Sequence, residues 1–367
     1  MKCIFCGKYA GFLKREHSKC RAAAESGKKY LQEWIDYVFL CRDCMNITDV
    51  IIDTVARFNI PIEMAKKLFL ESWNKKVLDA FADGKIDAGE IKILQEMLIA
   101  LRIDPRDYQK SPQWQRLMEY GKRKISDLID SFFKRSDELA IEEEINTIAQ
   151  LYGFDKAVIK QCSLECWKRF LNNAFDDGVL DEFEEKQLNK VADFFDFNES
   201  DVQPYRMKIV KGAILRDVLN GVVPQRLNIT NQLPIVLQKN ESAIWLCNDV
   251  SAYEDRVRRH YTGGSVGLSV RVAKGVYLRS GSFKGHPVET TETAMIGNGC
   301  LIVTNKTVFW ISSSKSIKIP LKKLVSVVPR SDGIILQKDG VSAKPLTLTL
   351  DDPWFICNLI TNLNLIQ

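Results

Sequence analysis

Two short cysteine pairs are the residues of this sequence best suited to hold a metal ion. Cys3 and Cys6 frame two residues, and so do Cys41 and Cys44. A pair so spaced forms a tight knuckle whose sulfurs converge on one ion, and two knuckles complete a tetrahedral thiolate site. Four protein ligands leave no open position, so a zinc ion on Cys3, Cys6, Cys41 and Cys44 would be structural. The 34 residues between the pairs exceed what a compact ribbon needs. They contain His17 and Cys20 and a helical pattern from Ala22 to Tyr37. A second set, Cys3, Cys6, His17 and Cys20, would leave Cys41 and Cys44 free. Two more cysteines, Cys162 and Cys166, lie one helical turn apart with no matching His or Cys nearby in sequence, which favours buried thiols.

Carboxylates form the other candidate constellation, and it occurs twice. Ala80, Phe81, Asp83, Gly84, Asp87 and Glu90 recur at one constant offset as Ala174, Phe175, Asp177, Gly178, Asp181 and Glu184. Each copy runs on into an apolar-periodic helix, which marks an internal repeat of helical hairpins. Two chemistries fit these residues. As caps, Gly84 and Gly178 end one helix in the left-handed conformation, and Asp87 with Glu90, or Asp181 with Glu184, opens the next as a reciprocal box. As a calcium or magnesium loop, Asp79, Asp83, Gly84, Ile86, Asp87 and Glu90 occupy positions one, five, six, eight, nine and twelve. Phe81 and Phe175 then stand at position three, where an oxygen ligand belongs. Capping alone explains most of the acidic residues; a divalent ion at Asp83, Asp87, Glu90, Asp177, Asp181 and Glu184 is the rival.

These groups need elements to carry them. At 367 residues, 46% of them hydrophobic, the chain has material for two or three cores. No apolar run approaches a membrane span and Met1-Lys2-Cys3 opens no secretory signal, which points to the cytoplasm and to reduced or metal-bound cysteines. The net charge of +5 conceals a segregation: +4 over residues 1–44, −9 over 45–205 and +10 over 206–367. Such asymmetry suggests modules with separate partners. Helical patterns span about 46–58, 61–82, 87–101, 111–134, 138–152, 155–175, 181–195 and 199–220, with Pro61, Pro105 and Pro112 at or between helix starts. After Gly221 the period changes to alternation. Strands are expected at 235–237, 243–248, 266–273, 276–279, 289–296, 299–304, 307–311, 316–320, 324–330, 333–338 and 346–350. Asp352-Pro353 then opens a terminal helix. The glycine-rich Tyr261–Ser265 lacks the lysine and helix start of a phosphate loop and reads as a tight hairpin.

Two resemblances follow. The hairpin with its acid–glycine turn and acidic-capped helix resembles the tellurite-resistance TerB family over residues 45–205. That family implies an all-helical fold and a place in bacterial stress response or phage defence. It also implies, for some members, divalent-metal binding through acids at the positions of Asp83, Asp87, Glu90, Asp177, Asp181 and Glu184. The segment Gly299–Trp310 followed by Ile319–Leu324 resembles the GRAM and bacterial pleckstrin-homology pattern. This implies a twisted antiparallel sheet closed by one helix over about 230–367.

The expected architecture is therefore a multidomain α+β chain: a small zinc ribbon at 1–45, a TerB-like all-helical region with repeated hairpins at 46–222, and a pleckstrin-homology-like β domain at 230–367. The basic residues Lys315, Lys318, Lys322, Lys323 and Arg330 would meet a protein partner or anionic lipid. His17, His260 and His286 sit in unrelated contexts, and no nucleophile elbow, phosphate loop or dinucleotide fingerprint is present. The sequence thus reads as a non-catalytic adaptor or scaffold of stress response or antiviral defence. It is expected to be zinc-stabilised, without small-molecule substrate, cytoplasmic, and docked to a partner or peripherally at the inner membrane face. The alternative is nucleic-acid binding through the ribbon and basic faces; the acidic middle argues against it.

Overall fold

A computed structural model describes residues 1–366 apart from 42–46, 83, 101, 135–137, 227–232, 263–264, 274–275, 284–285 and 341–342. Contacts gather the chain into two compact units, Met1–Phe170 with Lys190–Phe197, and Leu171–Asn189 with Asn198–Gln367. The units cut differently from a division near residues 45 and 222. The cysteine-bearing N-terminus shares a core with the first helices, and the second repeat turn and the last long helix belong with the sheet.

The first unit is built on helices α1 (Ser18–Cys41), α2 (Ile47–Phe58), α3 (Ile62–Ala80), α4 (Ala88–Ala100), α5 (Pro105–Tyr108), α6 (Pro112–Phe132) and α7 (Glu138–Tyr152). Leu31, Ile35 and Val38 recur on one face of α1 and are buried with Phe69, Trp73 and Val77 of α3 and with Ile91, Leu94 and Met97 of α4. Trp73 keeps its indole N–H satisfied there by donating to the Leu94 carbonyl at 2.8 Å. Starts are set locally: Ser111 accepts from Trp114 N–H before Pro112, and Asp104 from Arg106 N–H before Pro105.

The helices α8 (Lys156–Ala174), α9 (Glu182–Phe194) and α10 (Glu199–Leu219) continue the series, so the helical spans read from residue 46 onward hold to within a residue or two of their ends, while α1 runs four residues beyond the expected 22–37 at each end. A capping box between Asn198 and Asp201 opens α10. The second unit then carries strands β1 (Ala243–Thr262), β2 (Ser265–Ala273), β3 (Val276–Phe283), β4 (His286–Thr304), β5 (Thr307–Ser312), β6 (Ser316–Pro320), β7 (Leu324–Arg330), β8 (Gly333–Lys338) and β9 (Leu346–Thr349), closed by α11 (Pro353–Asn362). Seven of them form one antiparallel sheet ordered β6-β5-β4-β1-β9-β8-β7. Its core takes Trp310, Ile334, Leu336 and Leu348 from the sheet, Phe355, Ile356 and Leu359 from α11, and Ile214, Leu215 and Val218 from α10. A sheet domain cut at 230 would lose those three α10 side chains, each worth about 1.5–3 kcal/mol of burial.

Two expectations fail. No strand forms at 235–237, where Val236 is exposed and the three-residue run finds no pairing strand. Nor does the chain reverse after Tyr261. Gly263 and Gly264 lie outside the described residues, but Thr262 pairs with His286 and Ser265 with Phe283, so the two do not face each other across a tight hairpin. The expected strands 266–273 and 276–279 fall within β2 and β3, and the expected 289–296 and 299–304 are joined in the one strand β4.

The repeat is visible in the backbone. Gly84 has φ +78° and Gly178 φ +77°, and their N–H groups donate to the Phe81 and Phe175 carbonyls at 3.0 Å in both copies. Their surroundings differ. A Cβ at Gly84 would meet no described atom within 4 Å, whereas one at Gly178 would overlap the Trp354 ring. Gly84→Ala should therefore cost only the strain of a left-handed alanine, about 1–2 kcal/mol. Gly178→Ala should add an overpacking cost of about 1–3 kcal/mol. Chemical-denaturation midpoints would check this, with Trp354→Ala recovering part of the loss at Gly178 only.

Candidate metal centre

The N-terminal twenty residues fold around four potential ligand atoms. Cys3 and Cys6 form the expected knuckle: Gly7, at φ +71°, donates its N–H to the Cys3 carbonyl at 2.9 Å, and Cys3 N–H bonds the Lys8 carbonyl at 2.7 Å. A single bridge between Lys2 and Tyr9 returns the chain. The following loop delivers His17 just ahead of α1, and Cys20 is the third residue of that helix. The ligand atoms of Cys3, Cys6, His17 and Cys20 all lie within 4.8 Å of one another. Among the described residues no other such group of three or more potential ligands occurs.

The geometry fits a tetrahedral ion. Zn–S near 2.3 Å and Zn–N near 2.0 Å at tetrahedral angles set an S–N separation of about 3.5 Å. The His17 Nδ1 lies 3.5 Å from Cys6 Sγ and 3.6 Å from Cys20 Sγ. Its other nitrogen, Nε2, is 3.0 Å from the Tyr9 carbonyl oxygen. Donation from Nε2–H to that carbonyl fixes the tautomer and leaves the Nδ1 lone pair for an ion, as in carbonyl-supported histidine ligands generally.

The thiols carry the electrical signature of a site made for a cation. Burial acts to raise Cys3, but hydrogen bonds from the backbone of Cys6, Phe5 and His17 and from the Cys6 side chain outweigh it and bring the thiol down to about 6. Cys20 is pushed up to about 11, first by burial and then by the hydrogen bonds and charge of Cys6 and Cys3. Three thiolates cannot crowd together uncompensated; a dication removes that penalty. With one histidine and three thiolates the ligand set suits zinc, and Phe5 ties the knuckle to the core of the first unit.

This is the second of the two ligand sets. Cys41 is the last residue of α1, twenty-one residues beyond Cys20 on one continuous helix. At 1.5 Å per residue that is about 30 Å along the axis. Cys41 therefore cannot share an ion with Cys3 and Cys6, and Cys44 lies outside the described residues. The centre is a knuckle completed by a helix start, not a two-knuckle ribbon. The signal was the His-x2-Cys spacing of His17 and Cys20.

The acidic turns are occupied as caps. Asp87 N–H donates to Glu90 Oε2 at 2.9 Å and Glu90 N–H to Asp87 Oδ1 at 2.8 Å. Asp181 and Glu184 repeat the exchange at 2.9 and 2.7 Å. Asp177 Oδ1 accepts from Val179 N–H at 2.9 Å, and Asp83 lies outside the described residues. Burial, with the charges of Asp181 and Asp177, raises Glu184 above the usual carboxylate range, against the opposing hydrogen bond from the Asp181 N–H. Cys162 and Cys166 are buried, and burial first of all pushes Cys166 up to about 11, as core thiols require.

The five C-terminal basic residues lie on several elements. Lys315 pairs with Glu254 at 2.9 Å and Lys318 sits 5.3 Å from the Phe309 ring centroid. Lys322 and Lys323 lie in the short turn Leu321–Lys323 between β6 and β7, and Arg330 ends β7. β6 and β7 are the two edges of the sheet, where lysine and proline (Lys318, Pro320, Pro329) discourage stray strand pairing.

Purified protein should carry about one zinc per chain. Cys6→Ser with Cys20→Ser should release it and lower the melting point of the first unit, while Cys41→Ser with Cys44→Ser should keep full occupancy; a chromogenic zinc assay decides. Asp87→Ala or Asp181→Ala should cost about 0.5–2 kcal/mol in either the presence or the absence of calcium. Melting curves with millimolar calcium test this, and a rise of several degrees that Asp181→Ala abolishes would make the turns ion sites. Set against family models, curated proteins and solved structures, the chain finds no match, so its functional reading rests on this geometry.

Proposed function

We propose that the protein is a non-catalytic adaptor of bacterial stress response or phage defence, stabilised by one zinc ion and docked through its C-terminal domain. The observation that carries the reading is the sheet order β6-β5-β4-β1-β9-β8-β7 with α11 against it. A seven-stranded antiparallel sheet with three strands on either side of β1, capped by a C-terminal helix, is the plan expected of a pleckstrin-homology-like docking domain. The paired acid–glycine turns with their capping boxes support the TerB-like reading of the helical region. The zinc ligand set has four protein donors and thus no position for substrate, which supports a structural ion.

The docking role can be tested in the organism. Removing the protein should sensitise cells to tellurite or to phage, and the full chain should restore resistance. A chain truncated after Arg226 should fail to restore it even though the metal-bearing unit is retained. Full protection by the truncated chain would overturn the docking role.

A further inference from the structure

The knuckle that carries the metal ligands turns its large apolar side chains outward. Ile4 is 51% exposed, Tyr9 70%, Phe12 86% and Leu13 76%, four large hydrophobic residues within ten positions. Among the exposed large hydrophobics of the described residues, Phe12 and Leu13 are the one adjacent pair. The loop that bears them is held at both ends. Ala10 N–H donates to the Met1 carbonyl at 2.9 Å, and Ile4 N–H donates to the Arg15 carbonyl at 3.0 Å. Phe12 and Leu13 therefore sit at the tip between two fixed points. Gly11 turns the chain at φ +118° and Leu13 at φ +66°. A leucine is disfavoured in the left-handed region by its Cβ, and here its side chain gains no burial in return.

Charge around this tip has one sign. Lys2, Lys8, Lys14, Arg15 and Lys19 are all exposed, and none of them has an ion-pair partner among the described residues. Glu16 is the one carboxylate in residues 1–24, and it is already engaged by Arg21 at 3.3 Å. Lys14 and Arg15 follow the apolar pair directly, so two insertable side chains and two cations leave the same short loop.

Clustered hydrophobics left in water beside unbalanced charge mark a contact surface. The shape and chemistry of the tip select its partner. A protein interface of ordinary size buries about 800 Å² on each side, far more than a two-residue point supplies. A second copy would set five like charges against themselves. Single-stranded nucleic acid would stack bases on Tyr9 and Phe12, yet leave Ile4 and Leu13, which have no π-face, without an apolar partner. A bilayer with anionic headgroups needs no matching groove and satisfies both features. It takes Phe12 and Leu13 into the interface and sets Lys14 and Arg15 against the headgroups. We infer that the loop 10–15 is a membrane-insertion tip for anionic lipid. The fixed loop ends leave little conformational freedom to lose on insertion. No residue of the C-terminal domain takes part, so this contact stands apart from the docking role proposed above.

Flotation of the full-length protein with phosphatidylcholine vesicles, with and without phosphatidylglycerol, tests it. Binding should require phosphatidylglycerol and weaken as salt rises. Lys14→Gln with Arg15→Gln should weaken it about thirtyfold, roughly fivefold for each charge. Phe12→Ser with Leu13→Ser should weaken it about a hundredfold or more, because two apolar side chains no longer enter the interface. None of these residues is a metal ligand, so bound zinc and the circular dichroism spectrum should stay unchanged in both variants. Leu13→Gly separates contact from folding. Glycine accepts φ +66° without strain, so this variant should melt no lower than the unaltered protein, yet bind at least about tenfold more weakly. Absence of flotation by the unaltered protein overturns the inference, and so does flotation that the Phe12–Leu13 pair leaves unchanged. Retention of a single-stranded oligonucleotide without flotation also overturns it and assigns the tip to nucleic acid.

Discussion

A lattice of two arginines and two carboxylates ties together α9, α10 and the segment that leaves α10 in the second unit. Arg216 of α10 reaches Glu185 of α9 at 2.7 Å and Asp217 at 3.0 Å, and Arg226, on the segment leaving α10, reaches both acids at 2.7 Å. All four side chains are between 12% and 27% exposed, so solvent screens them only in part. Charge is balanced within the set, and removing one member would strand a partner in a partly buried site, the costly way to break an ion pair. The lattice fixes where the chain leaves α10. That exit holds Ile214, Leu215 and Val218 in the core of the sheet domain. Nearby in sequence, Lys211 reaches Asp352, the residue that caps α11, at 2.7 Å. The sheet domain is therefore not the tail alone.

That dependence explains what could be read from the sequence and what could not. Local rules determined the elements: Asp87, Asp181 and Asp352 as caps, Pro105, Pro112 and Pro353 in first turns, and period-2 runs for β5 through β8. Each is settled within a few residues. The boundary between units was hidden because α10 looks like the end of a helical series, and nothing local says that its apolar face packs under a sheet whose first strand begins at Ala243. The far partners of β1 and β2 were hidden for a related reason. Tyr261–Ser265 carries the composition of a tight hairpin, and only the distant partners, His286 for Thr262 and Phe283 for Ser265, decide otherwise.

The metal centre shows the same limit from the other side. Two identical Cys-x2-Cys spacings make a symmetrical pattern, and spacing alone cannot tell which second pair closes the site. The helix decides. Once residues 18–41 are one unbroken helix, its start and its end are too far apart for both to reach the ion. The start wins because Cys3 and Cys6 precede it by a loop short enough to fold back, and because the Tyr9 carbonyl holds the His17 ring in place.

The duplicated turn has one geometry and two fates. Both copies carry the same left-handed glycine and the same reciprocal cap, so the backbone rule alone accounts for their shared residues. In the second copy the glycine also gives Trp354, on the helix that closes the sheet, room to pack against it, which an alanine would deny. In the first copy no described atom comes close enough to exploit the missing side chain. A repeat kept for capping has thus acquired, in one copy only, a packing role that joins a helical hairpin to a β domain. The residue type is the same in both, and what differs is the neighbour that the rest of the chain brings to it.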